Sequence, residues 1–216
     1  MKHFSPDPVG EPVRAPTRRT LAKQQTRQKV LDAARRLFSE QGYEGATIRD
    51  IATAAGMSTG AVFANFTDKA DLFRQIMADD ARSLIADMRQ AGEGGGDVEA
   101  ALVRMLAAGY AFYQRRAQLA RAAFSVSWDR EGRATLQGLQ ISEAIQGLFG
   151  DHLSAAMRTG ALGPDLDVVL ISEMLHEVYL SNFPRAIFEG WGLESMTTRA
   201  RGQVAVLLAG ARRVAA

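Results

Sequence analysis

Between Thr47 and Lys69 the chain reads TIRDIATAAGMSTGAVFANFTDK, and few folds accommodate that order of caps, apolar positions and glycine. Thr47 can cap free N–H groups at a helix start, and Asp50 three residues on completes a capping-box pattern at the positive end of the helix dipole. Ile48, Ile51, Ala52 and Ala55 then share one helical face. Gly56 stops that helix, since a tight reversal requires a backbone angle that a Cβ disfavours. Ser58 can cap a second helix from Thr59 to about Asn65, with Val62 and Phe66 directed back at the first. Two short helices joined by a glycine turn form a helix-turn-helix, and in such a unit the second helix enters the DNA major groove.

Ser58, Thr59, Gly60 and Ala61 make a small first turn that lets backbone approach phosphates or base edges closely, where helix N-terminal amides already favour anions. Asp68 reads as the cap of the next helix with Asp71 as its capping-box partner, which puts Lys69 at that helix's first position. A cation there opposes the dipole and becomes sensible if a phosphate lies nearby. The plain alternative is a solvated surface lysine.

From about Thr26 to Ile76 the chain resembles the N-terminal domain of the TetR (tetracycline-repressor-like) transcription regulators. The matching pieces are Ala33-Ala34, Leu37-Phe38, Gly42-Tyr43, the run Thr47 to Ala52, Ala55 to Ser58, Gly60, Phe66, Lys69 and Leu72-Phe73. The resemblance implies a homodimeric, all-helical regulator, usually a repressor, with a variable C-terminal domain that binds a small inducer. It also implies that Thr47 and Lys69 touch phosphate and that Ser58 through Asn65 form the recognition helix. Two positions depart from the family pattern. Phe63 replaces a tyrosine whose hydroxyl reaches phosphate, and Asn65 stands where histidine is common. Asn65 can still donate to phosphate, or read adenine at a base edge.

Charge is distributed to match. Residues 1–70 hold eleven Lys/Arg against seven Asp/Glu, whereas the rest of the chain is slightly acidic. Arg14, Arg18, Arg19, Lys23, Arg27 and Lys29 follow one another without an acidic residue between them. Such a segment attracts phosphate and suits an arm tracking the minor groove; a solvated tail is the duller possibility. At 216 residues, 47% hydrophobic and 23% charged, the chain has the composition of an ordinary soluble protein. No apolar run approaches the eighteen or so residues of a membrane helix, and the N-terminus lacks a signal-peptide core, so a cytoplasmic location is expected. With no cysteine, disulfides and thiol redox sensing are excluded.

Taken in order, residues 1–22 read as a flexible basic arm, 23–70 as the DNA-binding domain and 71–216 as a helical ligand-binding and dimerisation domain. A first helix is expected from Lys23 to Gln41, ended by Gly42, and a linking helix from Asp68 to about Met88. Glu93 to Asp97 breaks the chain around three glycines, and Asp97 caps the next helix. A less regular stretch holds Phe124, Trp128 and Gly132. Further helices are expected over about 135–157, 165–188, where Pro184 bends or ends the helix, and 194–213. No strand alternation is visible, and the fold class is all-α.

Catalytic and metal chemistry find little support. Gly56-Met57-Ser58-Thr59-Gly60 matches G-x-S-x-G, with Asp167 and His176 in hydrolase order, but that motif needs a strand-to-helix turn. His176-Glu177 begins like H-E-x-x-H, yet Leu180 occupies the second histidine position, and neither His3 nor His152 has ligand spacing. No cofactor is expected. The triple glycine 94–96 lacks the Lys-Ser/Thr of a phosphate loop.

Two surfaces in the second half need partners. Met105, Tyr110, Phe112, Phe124, Trp128, Phe149, Met174, Tyr179 and Phe183, with His176 as a polar contact, supply side chains of the sort that line small-molecule pockets; each taken singly reads equally as core. Leu170, Met174, Val178, Leu207 and Leu208, beside Ala200, Ala205 and Ala209, suit a four-helix interface across a two-fold axis. A ligand-gated dimeric repressor on a palindromic operator unites these readings. A ligand-independent DNA-organising protein and a second half that binds a protein partner are the rivals.

Overall fold

The computed structural model describes residues 17–126 and 136–209, with side chains at 122–126 and 136–139 left out of that description. Among the described residues the chain forms nine helices and no strand: α1 (Arg18–Gly45), α2 (Ile48–Ala54), α3 (Thr59–Phe63), α4 (Lys69–Gly92), α5 (Val98–Gln114), α6 (Ala117–Val126), α7 (Leu136–Arg158), α8 (Val168–Ile187) and α9 (Leu193–Ala209). The all-α expectation is met. None of these helices is long and apolar enough to cross a membrane.

Several ends follow from local chemistry. Thr47, Ser58, Asp68, Asp97 and Asp167 each accept a hydrogen bond from the backbone N–H three residues on. At the end of α2 the Gly56 N–H bonds the Thr53 carbonyl and the Met57 N–H bonds the Ala52 carbonyl, a Schellman closure that needs the left-handed Gly56 (φ 69°). Gly42, at φ 75°, breaks the regular winding of α1 where a stop was expected. The start differs: α1 opens at Arg18, capped by Thr17, five residues ahead of Lys23. Pro184 lies inside α8, which continues through it to Ile187.

Apolar side chains gather into two cores. The first joins Val30, Leu37 and Phe38 of α1 to Ile51, Val62, Phe66, Leu72, Phe73 and Ile76. Leu119 of α6, only 2% exposed, is planted in it. The second joins Leu84 and Met88 to α5, α7, α8 and α9. Thus α4 serves both, with Leu72 to Met77 in one and Leu84 to Met88 in the other.

Polar contacts fasten α4 at each end. Lys69 Nζ donates to the Tyr43 carbonyl at 2.9 Å. At the far end Arg104 of α5 donates to the Ala91 and Gly92 carbonyls at 2.8 and 3.2 Å, as suits a cation at a helix C-terminus. Gly92 has no room for a side chain, since a Cβ there would stand 2.6 Å from His152 Nε2. Between the cores Arg35 of α1 donates to Asp80 of α4 at 3.1 Å. Burial raises the Asp80 carboxyl above its ordinary range, against the pull of Arg35 and Arg116.

Candidate nucleic-acid interface

α2 and α3 present their apolar sides to α1 and α4 and leave a polar outer surface. Val62 and Phe66 are 0% and 2% exposed, whereas Thr47, Ser58, Thr59 and Gly60 lie open. Ala61 is half-buried, and Phe63 is 54% exposed, which is unusual for a phenylalanine and leaves its ring available to an external surface. The Thr47 hydroxyl accepts from the Asp50 N–H at 3.2 Å and donates to the Asp50 carboxylate at 2.6 Å, so its rotamer is fixed before any ligand arrives. The Ser58 Oγ is likewise engaged as a cap, accepting from the Ala61 N–H.

Two predicted residues are held differently. Asn65 folds its amide back on α3, donating to the Ala61 carbonyl at 3.0 Å, while its Oδ1 is buried without a partner among the described residues. The Lys69 ammonium sits 4.3 Å from the centre of the Tyr43 ring and 3.8 Å from the Glu44 carboxylate, besides its bond to the Tyr43 carbonyl. The cation at the first position of α4 is therefore offset from within the chain by the last turn of α1. Asp71 also departs from the simple box, because its carboxylate accepts from the Thr67 N–H instead of that of Asp68. The hydrogen bond from Gln75 is the main reason its carboxyl lies below the usual range.

Sequence reasoning missed Arg27. Its guanidinium donates to the Asn65 carbonyl at 3.0 Å and lies 4.6 Å from the centre of the Phe66 ring, pinning the end of α3 to α1. Its place in the basic run was the available signal.

In the second half, Met105, Tyr110, Phe112, Phe149, His176, Tyr179 and Phe183 are all buried in or against one core. Tyr110 and Tyr179 stack with ring centres 5.3 Å apart, and the Tyr179 hydroxyl has no partner among the described residues. Burial pushes the Tyr110 hydroxyl up to about 12 and holds His176 below its ordinary value. Asn182 joins Tyr110 to Gln203 and Arg199 in a polar chain leading toward the surface. Met174 stands apart, 40% exposed on the outer side of α8. Of the other expected pocket residues, the Phe124 side chain and Trp128 lie outside the described residues.

An open groove of about 830 Å³ runs along α8 and α9, lined by Val178, Trp191, Arg199, Gln203, Val206 and Leu207 among others. None of the described residues expected to contact a ligand lines it. Of the residues expected at a dimer face, Leu170 is 50% exposed, but Ala200 and Leu208 are wholly buried in the second core. The exposed apolar positions Val169 and Val206 belong to the outer face instead.

Comparison with known proteins agrees with this geometry. Residues 30–76 match the model of the bacterial regulatory proteins of the tetR family. The HTH-type transcriptional repressor AcnR of Corynebacterium efficiens is 43% identical over 67 residues, covering 31% of this chain and 36% of that protein. The match thus spans about a third of that curated relative. The HTH-type transcriptional regulator UidR of Escherichia coli is 24% identical over 152 residues, covering 70% of this chain and 76% of the relative. A solved TetR-family regulator from Pectobacterium atrosepticum shares the fold with a TM-score of 0.72 at 18% identity, covering 93% of this chain and all (100%) of that one. The N-terminal helix-turn-helix of this chain is thus similar to that of the tetR family of bacterial regulatory proteins, and the chain as a whole shares the fold of solved TetR-family regulators.

Proposed function

We propose that the chain is a cytoplasmic, ligand-responsive transcription repressor that acts as a homodimer on a palindromic operator. The observation that carries this reading is α3: capped by Ser58, anchored through Val62 and Phe66, and open to the outside at Thr59, Gly60 and Phe63. Thr47, Ser58, Thr59, Gly60, Ala61, Phe63, Asn65 and Lys69 form the DNA-facing set, with Asn65 and Lys69 needing to leave their internal contacts to reach it. The outer faces of α8 and α9 support pairing, since Val169, Leu170, Met174 and Val206 expose 68%, 50%, 40% and 76% of their surfaces. Two reading heads then address half-sites about 34–36 Å apart, or a multiple of that.

The aromatic inner surfaces of α5 and α8 are where an apolar or aromatic inducer would lodge, and the unpartnered Tyr179 hydroxyl is a ready polar contact for it. Such a ligand acts only by binding the two states unequally. The domain reading is an arm ahead of α1, a DNA-binding unit from α1 into the first half of α4, and an effector and dimerisation unit beyond it, joined through α4.

Selection of duplexes from the source genome by the full chain is the test. Thr59→Ala should change the preference among selected duplexes. Lys69→Ala should weaken all of them alike and lower the salt slope by about one. Unchanged preference in Thr59→Ala overturns the recognition-helix assignment. Equal wild-type binding to every duplex favours a DNA-organising role.

A further inference from the structure

The first turns of α1 form a cationic surface with no partner among the described residues. Every residue from Arg18 to Gln25 is exposed, on all sides of the helix, and Leu21 at 44% exposure is no exception. Thr17 caps the start, and Leu21, Ala22, Lys23, Gln24 and Gln25 are strong helix formers that extend a helix already nucleated by its packed half. Nothing within the described chain rewards that extension. Arg18 and Arg19 occupy the first two positions, where positive charge opposes the dipole, and no acidic residue stands between Glu11 and Asp32. The charge there calls for an anion from outside.

Arg27 fixes which way this surface faces. Its guanidinium reaches the end of α3, at the Asn65 carbonyl and the Phe66 ring. Lys23 and Arg19 lie four and eight residues before it, about 6 and 12 Å further along the helix and about 40° and 80° around it. They continue outward on the side of α1 that meets the recognition helix. A helix seated in the major groove is bordered by the phosphate backbone, so the side chains just beyond its end meet phosphate before base edges. We propose that Arg19 and Lys23 form a second DNA contact, a two-cation clamp on the phosphate backbone flanking the groove that α3 enters. Both precede the segment that matches the family model, residues 30–76. The inference rests on the DNA-reading assignment of α3.

The test uses the full chain and one duplex selected by the wild type. Affinity is measured across salt concentrations for wild type, Arg19→Gln/Lys23→Gln, and a control with equal charge loss, Arg89→Gln/Arg158→Gln. The clamp variant should keep its helical content and its ranking of duplexes, while its logarithmic salt slope falls by about 1.8 per bound chain, at roughly 0.9 per phosphate contact. The control should keep the wild-type slope. A clamp variant with the wild-type slope overturns the inference and leaves the α3 assignment standing. An equal loss in the control also overturns it, because net charge and not position would then matter. A wild-type chain that selects no duplex overturns the DNA reading itself, and the clamp falls with it.

Discussion

Gly109 shows how tightly the second core constrains single positions. A Cβ there would stand 2.7 Å from Tyr179 Cε2 and 2.9 Å from its hydroxyl, while the Tyr179 ring is 2% exposed and stacked on Tyr110. The ring has nowhere to yield, so Gly109→Ala should destabilise by about 1–3 kcal/mol and lower the melting temperature by several degrees. Thermal unfolding followed by circular dichroism measures this. The need for glycine at 109 was invisible in the sequence, because the crowding side chain comes from another helix seventy residues away. Gly56 was legible for the opposite reason, since its positive φ serves a turn written within a few neighbouring residues.

Among the elements, those with caps were easiest to place. Thr47, Ser58, Asp68 and Asp97 each bond an N–H three residues away, which is local information. The early start of α1 was missed because Arg18 to Gln25 are exposed, pack against none of the described residues and carry no apolar period to betray a helix. The seating of α6 on the first core was equally hidden, since Leu119 contacts residues far from it in sequence. The same junction carries Arg35 and Asp80. Arg35→Ala leaves the Asp80 carboxylate buried without its partner and should cost about 1–3 kcal/mol near neutral pH. Asp80 is already raised by burial, so its folded-state proton is held more tightly than in the unfolded chain, and losing Arg35 strengthens that hold. The deficit should therefore shrink as pH falls toward the ordinary carboxylate range. Denaturant titrations of both chains at several pH values check the sign; a deficit that grows on acidification contradicts it.

For the whole molecule, the proposed pairing through the outer face of α8 and α9 is open to a direct test. Val206, 76% exposed, borders the open groove beside Val178 and Leu207. Val206→Glu places a charge on that face without touching either core, so it should produce monomers by light scattering while the melting curve of each subunit stays cooperative. A dimer that survives the change would put the pairing surface elsewhere. Sequence periodicity set Leu170, Met174, Ala200 and Leu208 on one outward surface; the first two are exposed, whereas Ala200 and Leu208 are buried and Val206 is exposed in their place. Rotating a helix by two residues changes which stripe looks outward, and only the neighbours settle it. The two fastenings of α4, Lys69 to the Tyr43 carbonyl and Arg104 to the Ala91 and Gly92 carbonyls, bear on motion at this scale. A rod gripped at both tips resists fraying, so a sideways push on one tip would be passed along its length to the other instead of being lost between them.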